Sequence, residues 1–73
     1  MQKTETGYNI RTYDNGVLHF VIGRTYTAVG TCGTAKDMMI TGELTYHKLF
    51  KQLELLDKRG QRYAINERTL SYL

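Results

Sequence analysis

The chain has 73 residues, a formal net charge of +3 and a single cysteine, with no proline or tryptophan. A chain this short forms one domain with a thin core, and one cysteine excludes an internal disulfide, which suits a reducing, cytoplasmic setting. Its longest apolar run, Val17 to Ile22, is broken by His19 and is too short to span a bilayer, so a membrane partner is not expected.

Residues 1–6 are polar, hold no signal-peptide core and are expected to be a disordered segment ahead of a single β-rich domain over 7–73. Tyr8–Tyr13 and Val17–Ile22 alternate with strand periodicity around Asp14-Asn15-Gly16. A three-residue loop ending in a positive-φ glycine joins such strands. That loop pairs Tyr8 with Ile22, Ile10 with Phe20 and Thr12 with Leu18, gathering the apolar side chains on one face. Asn9, Arg11, Tyr13 and His19 fall on the other, and one residue of slip would exchange the two faces.

Gly23 is expected to bend the chain into a strand over Arg24–Val29, where Thr25, Tyr26, Thr27 and Val29 favour extended backbone. Gly30 through Asp37 reads as the longest irregular stretch, a mobile loop. Met38–Thr41 reads as a short strand that Gly42-Glu43 turns. Tyr46, Leu49, Phe50 and Leu53 recur at helical spacing after Thr45, so a short helix is expected over Thr45–Lys51, with a longer helix reaching Leu56 as its competitor. A strand then starts at Gln52. Lys58-Arg59-Gly60 repeats the glycine-ended loop and pairs Leu55 with Tyr63 and Leu53 with Ile65. Glu54 points outward beside Arg62 as a cross-strand ion pair. Glu67–Thr69 is one turn, and Leu70 and Tyr72 lie in a last short strand.

These elements predict a mainly β fold with one short helix, as a small, strongly curved sheet or barrel of five to six short strands. The C-terminal run over 52–73 consists of a tight hairpin, Tyr63-Ala64-Ile65-Asn66, one turn and a terminal strand. It resembles the second half of an SH3-like barrel. The aromatic and proline positions that hold polyproline peptides in SH3 domains have no counterpart here, so the resemblance implies the fold and not that activity.

Chemistry is sparse. Two histidines and Cys32 lack the spacing of a metal site, and no acid is placed to orient a Cys–His pair, so no metal and no catalytic residue is expected. Gly30, Gly33 and Lys36 fall short of a phosphate-cradling loop, because Thr34-Ala35 intervene and Asp37 follows. No cofactor is expected.

Two function classes remain. The first is a non-enzymatic protein-binding module, similar in composition to small phage and mobile-element accessory proteins. It would be a stoichiometric inhibitor or regulator of a larger protein, docking through Arg11, Tyr13, His19 and Lys36 or assembling with copies of itself. The alternative is a small basic barrel that binds single-stranded DNA or RNA. Residues 1–43 balance four basic against four acidic side chains, so the whole excess lies in 44–73. There Lys48, Lys51, Lys58, Arg59, Arg62 and Arg68 would contact phosphates.

Overall fold

The computed structural model describes the backbone of residues 1–32 and 35–73, and the side chains of 1–31 and 37–73. The chain runs through β1 (Gln2–Lys3), β2 (Gly7–Thr12), β3 (Gly16–Val21), β4 (Thr25–Cys32), β5 (Ala35–His47), β6 (Gln52–Leu56) and β7 (Arg62–Ile65). A single 3-10 turn follows at Glu67–Thr69. The fold is mainly β, arranged as two antiparallel sheets. One has the order β1-β2-β3; in the other, β4-β5-β6-β7, β7 pairs back to β4.

The first hairpin keeps the expected faces but not the expected register. Tyr8 pairs with Phe20, Ile10 with Leu18 and Thr12 with Gly16. The strands have slid by two residues, so every side chain stays on its side. The cause is Thr12. Its hydroxyl donates to Gly16 O at 2.8 Å and accepts from the Asn15 amide at 3.1 Å, which draws Tyr13 into the turn and puts Gly16, at φ +66°, at the start of the return strand. Residues 1–6, expected to be disordered, include β1, which pairs Gln2 with Asn9 and Lys3 with Tyr8. The second hairpin has the expected register, with Leu55 facing Tyr63 and Gly60 at φ +86°, but Glu54, expected on the outward face, is buried.

Between the hairpins the expectation fails in three places. The strand expected to end at Val29 continues to Cys32, and of the stretch expected to be a loop from Gly30 to Asp37, residues 30–32 belong to β4 and 35–37 to β5. Gly33 and Thr34 lie outside the described residues. The separate short strand over Met38–Thr41 belongs to β5, which runs unbroken through Gly42 for 13 residues. Gly42 serves close approach rather than a turn, since a Cβ there would stand 2.5 Å from Leu56 O. The helix expected over Thr45–Lys51 is absent, as is the longer helix to Leu56. β5 extends to His47, and a turn at 48–51 leads into β6, with Leu44, Thr45, Tyr46 and His47 facing Leu55, Glu54, Leu53 and Gln52. At the C-terminus the last strand is reduced to one bridge, Thr27 with Ser71.

The core lies between the inward face of β2–β3 and the inside of the second sheet. Tyr8, Ile10 and Phe20 meet Tyr26, Ala28, Ile40, Leu44, Leu53, Leu55, Tyr63 and Leu70. Tyr8 stacks on Tyr46 with centroids 5.7 Å apart, and Phe20 meets Tyr26 edge-on at 5.0 Å. Burial, with Tyr46 nearby, pushes the Tyr8 phenol above its ordinary pKa.

Candidate interaction site

Arg11 and His19 share the outward face of β2–β3, two pairs apart along the ladder: Arg11 stands opposite Val17, and His19 opposite Asn9, with Ile10 and Leu18 paired between them. His19 is already engaged, with Nδ1 2.9 Å from Asn9 Oδ1 and Nε2 3.2 Å from the Thr6 hydroxyl. Tyr13 is exposed as expected but sits in the turn. Its amide donates to Arg68 O at 3.0 Å, and its side borders a cleft with Val29, Met39 and Arg68 rather than the one beside His19. Lys36 is carried by β5, and its side chain lies outside the described residues.

The six C-terminal cations do not converge. Lys48 and Lys51 lie in the turn before β6, while Lys58 and Arg59 lie in the turn after it. Five residues of strand hold the two turns about 17 Å apart. Arg62 points to Glu54 at 3.5 Å, and Arg59 reaches Asp57 at 3.9 Å, so two of the charges are partly met by carboxylates. Arg68 belongs to the 3-10 turn. A backbone-tracking groove needs its cations in a line, and these are divided between the two ends of β6, with Arg68 apart on the 3-10 turn.

The turn between β5 and β6 exposes two residues, Leu49 and Phe50, whose spacing predicts a helix. Leu49 is 80% exposed and Phe50 65% exposed, at a hairpin tip flanked by Lys48 and Lys51. The tip is held from below. The Phe50 amide donates to Nδ1 of His47 at 3.1 Å, and the two rings stack with centroids 4.4 Å apart and planes 19° from parallel. Lys51 takes φ +52° to return the chain. Two apolar side chains are thus presented to solvent on a turn with a fixed backbone, a low-entropy anchor for a complementary pocket. The signal was present: Thr45 and His47 alternate with Leu44 and Tyr46 in strand phase. The Leu49-Phe50 pair completed a helical pattern that concealed it.

Among the described residues, no group of three His, Cys, Asp or Glu is placed to hold a metal ion, and no helix is long and apolar enough to cross a membrane. Comparison of the chain with protein-family models, with curated proteins and with solved structures finds no match.

Proposed function

We propose that this protein is a non-enzymatic binding module that regulates a larger protein by occupying one of its apolar pockets, with Leu49 and Phe50 as the inserted anchors. The observation that carries this reading is the exposure of both side chains on a turn braced by His47. Exposed apolar residues scattered singly are ordinary, but an adjacent pair at a protruding tip fits the centre of an interface. Lys48 and Lys51 supply a rim that favours an acidic border around the pocket. The scaffold is read as a small SH3-like barrel, supported by the closing order of β4 to β7, the 3-10 turn and the Ser71 bridge. The nucleic-acid reading has weaker support, because its six cations are divided between the two ends of β6 and the 3-10 turn.

A photo-crosslinking residue in place of Leu49, with one in place of Lys58 as control, tests the proposal in extract of the source cell divided into nuclease-treated and untreated halves. A protein crosslinked from position 49 and not from position 58, and lost in Phe50→Ser, is the expected result. Crosslinking only from position 58, abolished by nuclease, would transfer the function to the basic turn.

A further inference from the structure

A backbone N–H can bond to an imidazole nitrogen only where that nitrogen keeps its lone pair. The Phe50 amide donates to Nδ1 of His47 at 3.1 Å, so the ring that braces the tip is neutral and carries its proton on Nε2. In the imidazolium both nitrogens are donors, and Nδ1–H would be aimed at the Phe50 N–H. The geometry therefore fixes the charge state on which the turn depends.

The stack does not make the same selection. His47 and Phe50 lie with centroids 4.4 Å apart and planes 19° from parallel, and a ring face attracts a cation too. The amide bond is the contact that a proton removes. The His47 ring is only half-buried, so solvent supplies that proton directly.

Lys48 and Lys51 stand in the turn beside the ring. Across the strand pair His47 faces the neutral Gln52, and Glu54 lies two residues further along β6. Glu54 is already engaged, with Oε2 accepting from Gln52 Nε2 at 3.0 Å and Oε1 3.5 Å from Arg62 of β7. Charging His47 thus places a third cation within the run 47–51. Lys51, at φ +52°, holds a left-handed backbone that a non-glycine residue keeps only while its surroundings impose it. Loss of the Phe50 bond and the added like charge both loosen that constraint.

We propose that His47 is a proton-operated latch on the Leu49–Phe50 tip: the neutral ring holds the turn that presents both side chains, and protonation at Nδ1 opens it. Histidine is the side chain suited to this task, since in ordinary surroundings it changes charge between about pH 5 and 8. The first hairpin supplies the contrast. There Thr12 Oγ1 accepts from the Asn15 amide, also at 3.1 Å, and a hydroxyl does not titrate in that range. The consequence for partner binding rests on Leu49 and Phe50 being the inserted anchors; the latch itself does not.

The test uses the full chain, labelled with nitrogen-15 and followed by NMR from about pH 8 to about pH 5. The neutral His47 ring should show the Nε2–H tautomer. As the ring titrates, protection of the Phe50 amide, measured against the unstructured exchange rate at each pH, should fall about fivefold or more with the same midpoint. The Asn15 amide should keep its protection throughout. His47→Thr, which copies the Thr12 brace, should remove the pH dependence of the Phe50 amide. It also separates His47 from His19, which is bonded to Asn9 and Thr6 on the other sheet. An Nδ1–H tautomer, Phe50 protection that stays constant while the ring titrates, or a pH dependence that survives His47→Thr would each overturn the latch. Crosslinking from position 49 is the separate readout, and it should fall below the ring's midpoint in the parent but not in His47→Thr. Crosslinking absent at every pH, with the amide changes intact, would sink the anchors and leave the latch standing.

Discussion

Lys51 and Gly16 each stand four residues past the residue that opens their turn, both at positive φ, +52° and +66°, although Gly16 already pairs with Thr12 while Lys51 is the last turn residue before Gln52 pairs with His47. Each turn is braced by the residue that opens it: the Asn15 amide donates to Thr12 Oγ1 and the Phe50 amide to His47 Nδ1, both at 3.1 Å. The same brace and the same positive-φ step thus appear in a three-residue turn and in a four-residue one. Only one copy carries the glycine that advertises it.

A non-glycine residue in the left-handed region carries a strain of about 1–2 kcal/mol, part of which glycine gives back through the greater freedom of its unfolded chain. Lys51→Gly should therefore stabilise the protein by about 0.5–1 kcal/mol, whereas Gly16→Val should cost about 1–2 kcal/mol. Urea melts of the two variants check this. A Lys51→Gly protein no more stable than the parent would mean that the turn does not hold Lys51 at positive φ.

Gly42 marks the point at which β5 passes from β4 to β6. Any Cβ there meets backbone, with Leu56 O at 2.5 Å and Leu56 C at 2.8 Å, so neither side can yield by a rotamer change. Gly42→Ala should lower stability by about 1–3 kcal/mol, the scale of overpacking in a filled interior. The loss should appear in thermal melts as a lower midpoint. An unchanged midpoint would place Gly42 away from β6.

The legible and illegible parts of this chain divide on physical grounds. Alternation of apolar residues determines which side of a strand faces inward, and that survives a slip of two, so Tyr8, Ile10, Phe20, Tyr26 and Tyr63 are buried as their pattern demands. Register depends on the turn, and there the Thr12 hydroxyl decided the outcome by a bond that no hydrophobic pattern encodes. Gly42 punctuates the sequence like a turn but serves as a contact. The Leu49–Phe50 tip was hidden because the same residues satisfy helical spacing.

Glu54 was expected on an exposed face, yet its side chain is only 8% exposed, while that of its partner Arg62 is 54% exposed. Oε2 accepts from Gln52 Nε2 at 3.0 Å, and the 3.5 Å ion pair to Arg62 is the contact found for Oε1 among the described residues. Removing Arg62 leaves a buried carboxylate oxygen without that charge, so Arg62→Ala should cost about 1–2 kcal/mol, more than the few tenths of a surface pair. In a Glu54→Gln background the same change should cost under about 0.5 kcal/mol. A double-mutant cycle measures the difference, and a coupling near zero would mean that solvent already screens the pair.

Asp57 links the turn after β6 to the acid stability of the whole protein. Its carboxylate accepts from the Gln61 amide, the Tyr63 hydroxyl at 2.8 Å and the Arg59 amide, with the Arg59 guanidinium nearby, and these hold its pKa below the ordinary aspartate value against the opposing effect of burial. A carboxyl whose folded pKa is depressed contributes stability that is present in full above its unfolded value, about 3.9, and is lost as pH falls through the folded one. Asp57→Asn removes that ionisation, so its midpoint should lie below the parent's at neutral pH and converge on it as the solution is acidified below about pH 4. Tyr63→Phe removes one of the bonds that lower the pKa and should show the same convergence with smaller amplitude. Circular-dichroism melts between pH 7 and pH 2 give both curves. A gap between Asp57→Asn and the parent that stays constant over that range would show that the carboxylate charge takes no part in holding the turn.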